Sequence, residues 1–60
     1  MTLKFFAKML IPDAALIIKK DGQTLEGVLA EKVEKSKYAN AEIADWTMNI
    51  DGPACTIEIK

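Results

Sequence analysis

Leu16-Ile17-Ile18-Lys19-Lys20-Asp21-Gly22-Gln23-Thr24-Leu25-Glu26-Gly27-Val28-Leu29 is the stretch on which the fold turns. An apolar run meets an Asp-Gly dipeptide, and a second apolar run follows without a gap. Asp-Gly is a strong hairpin signal, because a two-residue loop that matches the twist of its strands needs positive φ. Glycine takes that conformation at little cost. Leu16, Ile17 and Ile18 favour extended chain before the turn, and Thr24 and Leu25 continue it afterwards. Gly27 lies inside the second run, where a lone glycine marks a bulge or a tight bend. A strand bent there would curl a small sheet towards closure and reduce its exposed edges.

The competing reading is a helix over about 24–37. Thr24 would be its N-cap. Leu25, Val28, Leu29 and Val33 would share one face, and Glu31 and Lys35 would form an i, i+4 pair. Gly27 in the first turn counts against this helix by about 1 kcal/mol. The sequence therefore predicts a mainly β domain, a single small curled sheet or barrel of four to five strands. The alternative is an α+β arrangement in the order β-β-α-β-β, with the helix at about 24–37 across the sheet.

Outward from the hairpin, residues 2–11 alternate. Leu3, Phe5, Ala7, Met9 and Ile11 fall on one side, and Lys4, Phe6, Lys8 and Leu10 on the other, which predicts an amphipathic strand, with a short helix as the alternative. Ile11-Pro12-Asp13 should end that element and turn into the hairpin, because proline offers no donor to a ladder. Residues 30–40 are the most polar part, either an exposed helix or the tips of two strands. Residues 43–50 and 54–60 alternate again on either side of Asp51-Gly52-Pro53, which predicts a C-terminal hairpin.

Sixty residues make one domain, 1–60, with a marginal core. Small folds usually add a disulfide, a metal or a partner subunit. The one cysteine, Cys55, excludes an intrachain disulfide, and with no histidine a structural zinc site cannot be built. Half the residues are apolar, so self-association is the remaining staple, and a homo-oligomer, in its simplest form a dimer, is expected. Residues 1–20 carry four lysines against Asp13, and residues 21–60 carry eight acids against four lysines. That polarity suits head-to-tail contact between copies, although scattered solvated charges explain it more simply. Arginine is absent, which removes the bidentate phosphate and base contacts that nucleic-acid binding uses most. No apolar run is long enough to span a bilayer. A single thiol suits a reducing, cytoplasmic setting.

Catalytic chemistry is hard to assemble from these residues. Nucleophilic catalysis most often needs a histidine base. Asp13, Asp21 and Asp51 sit at turn signals, where aspartate has a local structural task. Gly22, Gly27 and Gly52 are too far apart for a phosphate loop. The sequence thus predicts no catalytic residues, no cofactor and no metal. Its candidates for an interaction surface are Phe6, Leu10, Tyr38 and Trp46. Tryptophan is enriched among binding hot spots, although the phase of Trp46 with Met48 and Ile50 favours a core position.

The run Asp21-Gly22-Gln23-Thr24-Leu25-Glu26-Gly27-Val28-Leu29 resembles the first motif of the Sm-like RNA-binding barrels. Asn49-Ile50-Asp51-Gly52-Pro53-Ala54-Cys55-Thr56-Ile57 is loosely similar to the second. The resemblance implies a strongly bent five-stranded barrel that closes into rings by strand-edge pairing. The family's base-holding residues have no match around Val33 and Glu34, and the basic residue expected before the second glycine is Asp51, so no RNA-binding residues are carried over. Three functions follow as expectations. The first is a non-catalytic protein-interaction module acting as a homo-oligomer, one concrete form being a small phage-encoded inhibitor of a host enzyme or defence complex. The second is an Sm-like RNA-binding ring using Lys4, Lys8, Lys19 and Lys20. The third is a small structural assembly subunit.

Overall fold

A computed structural model describes residues 1–49 and 54–60. The chain runs through a short helix α1 (Leu3–Ala7), strands β1 (Ala15–Lys20) and β2 (Gln23–Leu29), a 3-10 helix (Ala30–Lys35), and strands β3 (Ile43–Met48) and β4 (Ala54–Ile59). The four strands form one sheet in the order β2-β1-β4-β3. Both hairpins are antiparallel, and the two central strands, β1 and β4, run parallel. The fold is mainly β, a small curled sheet that stays open, with β2 and β3 at its edges.

The β1–β2 hairpin follows from its turn chemistry. Asp21 and Gly22 have φ of 53° and 80°, and they join the facing pair Lys20 and Gln23. Positive φ at both centres is the twist-matched geometry that favours an Asp-Gly turn. The irregularity in this hairpin falls at Leu25, not at Gly27. The register shifts opposite Ile18 and Lys19, leaving Leu25 unpaired, whereas Gly27 pairs with Ile17.

One local expectation is corrected, and one alternative is settled. Residues 2–11 do not form a strand. Leu3, Phe6 and Ala7 are buried, and Leu10 packs against the same core. These positions are spaced i, i+3, i+4, i+7, which is one face of a helix. Thr2 caps that helix by accepting a bond from the Phe5 N–H (3.3 Å), which satisfies one orphan donor of the first turn. Of the two readings of 24–37, the strand holds over its first part and the long helix does not form. The strand persists to Leu29 and only Ala30–Lys35 turns helical, as a 3-10 helix that buries Ala30 and Val33. Its start is pinned by backbone bonds from Ala30 N–H to Ala14 O (2.8 Å) and from Glu31 N–H to Pro12 O (2.9 Å).

The core lies between one face of the sheet and these two short helices. Leu16 and Ile18 from β1 and Cys55, Ile57 and Ile59 from β4 meet Leu3, Phe6, Ala7 and Val33 from the covering layer. Each large side chain buried here contributes roughly 1.5–3 kcal/mol. The other sheet face carries Ile17, Lys19, Thr24, Thr47, Thr56 and Glu58, set there by strand alternation from the buried residues. That face has no covering layer among the described residues. β3 pairs with β4 as the alternation predicts, with a register shift between Ile43 and Asp45. The Asp51-Gly52-Pro53 turn signal lies outside the described residues.

Candidate interaction edge on strand β3

The outer edge of β3 is covered at one end and open at the other. Residues 1–3 run antiparallel to 41–43, with Thr2 bridging Glu42. Leu3 N–H donates to Ala41 O (2.9 Å), and Ile43 N–H donates to Met1 O (3.0 Å). The Met1 amine lies 3.0 Å from Glu42 Oε2 and holds that carboxyl below the usual range by hydrogen bonding and charge. Beyond Ile43 no strand among the described residues pairs with this edge. The β3 positions after Ile43 are all exposed.

The register shift determines what the open edge presents. Ile43 faces Ile59, but Asp45 faces Glu58, so Ala44 is the extra residue of a bulge. The bulge resets the alternation. Trp46 falls opposite Ile57 and Met48 opposite Cys55, both therefore on the core side of the sheet. Yet they stand past the covering layer, 50% and 55% exposed. The Trp46 ring lies 5.4 Å from the Phe6 ring, tilted by 46°, so the apolar edge is continuous with the core. Tilted aromatic contacts of this kind add to simple area burial. The backbone edge carries its own cover: Trp46 N–H donates to Asp45 Oδ1 at 2.8 Å.

The four sequence candidates thus have different places. Phe6 is buried in the protein's own core and contributes only as the floor beneath Trp46. Leu10 and Tyr38 are half-buried against the core. The Tyr38 ring carries the Lys37 ammonium 5.3 Å from its centre, and its N–H donates to Ser36 Oγ. Trp46 alone of the four is exposed. The sequence reading missed Met48 as its partner. It also missed Phe5, Met9 and Ile11 as exposed apolar residues, because it placed them on the buried side of a strand.

Other chemistry is sparse. An open cleft of about 240 Å³ lies between α1 and the 3-10 helix, lined by Lys4, Lys8, Glu31 and Glu34 with Leu10 and Pro12. Lys8 is paired with Glu34 (3.2 Å). Lys4 and Lys8 belong to this covering layer, whereas Lys19 sits on the opposite sheet face beside Thr24 and Glu58, so the lysines are divided between surfaces. Cys55 is buried, and loss of hydration pushes its thiol up. Among the described residues no cluster of His, Cys, Asp and Glu can hold a metal ion. Among them, too, no helix is long and apolar enough to cross a membrane. No family model matches the chain, and no curated protein or solved structure matches it either.

Proposed function

We propose that the protein is a non-catalytic protein-interaction module that works as a homo-oligomer, a dimer in its simplest form. One observation carries this reading: Trp46 and Met48 stand exposed along a strand edge that no other strand among the described residues pairs with, in direct continuity with the core through Phe6. Edge strands are usually shortened, charged or covered, because an open row of backbone groups recruits further strands. Here the open part of the edge instead carries two of the largest apolar side chains, and aromatic residues and methionine are enriched where proteins meet. The size of the domain points the same way, since a chain of 60 residues gains stability when a partner removes apolar surface from water.

The test is solution mass by size-exclusion chromatography with light scattering, for the natural chain and for a Trp46→Ser, Met48→Thr variant. The expected result is a dimer that becomes a folded monomer in the variant. A natural chain that stays monomeric at every concentration would overturn self-association. An oligomer that survives the double substitution would overturn the role of this edge.

A further inference from the structure

We infer that two copies join edge to edge through residues 45–49 of β3, antiparallel about a two-fold axis at Thr47, and that the Asp45 carboxylate is a latch that must leave the edge first. The inference rests on the self-association proposed above and specifies its geometry. It begins from which backbone groups face outward. Trp46 N–H donates to a side chain of its own strand, so it is not directed at β4. Strand alternation then turns the Met48 N–H outward as well, while Thr47 faces β4.

A two-fold pairing of antiparallel strands places residues of the same phase opposite each other, so only a few registers are open. Centred on Asp45, it sets two carboxylates face to face, a destabilising like-charge pair. It also drives the partner strand into residues 1–3, which already occupy the edge at 41–43. Centred on Trp46, it stacks the two largest side chains on each other and pairs Met48 with the bulged Ala44, where the ladder is irregular. Centred on Thr47, it satisfies every term. Trp46 faces Met48 of the second copy, and Met48 faces its Trp46. The outward N–H and C=O groups of both residues find partners. Thr47 faces Thr47, and Asp45 faces Asn49, an acceptor opposite a side-chain donor.

On the core side this register gathers two tryptophans and two methionines into one cluster on the Phe6 rings. The ladder stops before residues 1–3 are reached. The result is a continuous eight-stranded sheet, four strands from each copy. Its cost is the bond from Trp46 N–H to Asp45, broken once in each copy, so the latch sets how readily the edge opens.

Cross-linking tests the register. In a non-hydrogen-bonded antiparallel pair the Cα atoms lie about 4.5 Å apart, within the roughly 4.4–6.8 Å that a disulfide spans. Under mild oxidation the Thr47→Cys variant should link into a covalent dimer, while Asp45→Cys and Asn49→Cys should link far less. Buried Cys55 serves as the internal control in all three. Asp45→Asn, which weakens the latch, should tighten the dimer by about threefold to tenfold by sedimentation, as expected for losing a bond of modest net strength. A natural chain that is dimeric while Thr47→Cys fails to link, or links no faster than its neighbours, would overturn this register and leave the homo-oligomer standing. A natural chain that is monomeric would overturn both. A dimer that Asp45→Asn leaves unchanged or weakens would overturn the latch.

Discussion

Gly22 and Cys55 show how differently two single residues serve this fold. At Gly22 the backbone has φ of +80° and open space where a Cβ would stand. Gly22→Ala therefore meets no clash, and its whole penalty is conformational, about 1–2 kcal/mol for an L-residue held in the left-handed region. A urea midpoint lowered by that amount, with the far-ultraviolet spectrum intact, is the expected outcome. Cys55 is held by its surroundings instead. Burial favours the neutral thiol and raises its pKa. The folded state consequently keeps its proton when the unfolded state begins to lose one. The stabilisation is complete below the unfolded thiol's pKa of about 8.5 and is lost as pH rises from there towards the folded value. Urea midpoints for the natural chain should fall between about pH 7 and pH 9.5 more steeply than those of Cys55→Ala. The thiol should also resist alkylation until denaturant is added. Both roles were legible in sequence, the first from the Asp-Gly dipeptide and the second from the alternation of Cys55, Ile57 and Ile59.

Elements were legible where one periodicity dominated and misread where two coexisted. The pairing of β3 with β4 carries strand alternation, and the 16–29 hairpin carries an Asp-Gly turn that outweighs the helical spacing of Leu25, Val28 and Leu29; both form. Residues 2–11 carry two patterns. Their odd positions alternate as a strand, but Leu3, Phe6, Ala7 and Leu10 also follow helical spacing, and the helical pattern prevails under a turn capped by Thr2, at the cost of leaving Phe5, Met9 and Ile11 exposed. Residues 30–40 offered helix-favouring alanine, glutamate and lysine, but tertiary bonds decide what they become. Ser36 is central to that outcome. Its hydroxyl donates to Glu26 Oε2 on β2 at 2.6 Å and accepts from Tyr38 N–H at 3.1 Å, so one side chain ties the end of the 3-10 helix to the edge of the sheet. Ser36→Ala leaves a half-buried carboxylate and an amide without these partners, a loss of roughly 1–3 kcal/mol. Chemical denaturation should show that loss, and hydrogen exchange should quicken first at Tyr38. The Met1–Glu42 contact at the other end of the molecule contributes in the opposite direction of pH from Cys55. A carboxyl held low stabilises above its unfolded pKa, and the contribution is lost as pH falls through the folded value.

At the scale of the whole molecule, the sheet is asymmetric. Its core-side face is covered from β2 across β1 and β4, and the cover gives out over the far end of β3. The sequence did not reveal this, because Trp46, Met48 and Ile57 share one phase and periodicity carries no information about where a covering layer ends. Only the lengths of α1 and the 3-10 helix, five and six residues, set that limit. Trp46 consequently reports on anything that completes the layer. It is the chain's one tryptophan and is half exposed beside a buried phenylalanine. If a second copy supplies the missing cover, its indole leaves water as the protein associates, and the emission maximum should move to shorter wavelength with increasing concentration. The same association should raise the thermal midpoint with concentration, since a partner bound to the folded state alone stabilises it by mass action. The thermal midpoint should begin to climb in the concentration range where the emission shifts, and both responses should flatten when Met48 is replaced by threonine. An emission maximum fixed across the whole concentration range, in a chain that light scattering finds monomeric throughout, would mean that the end of β3 stays in water.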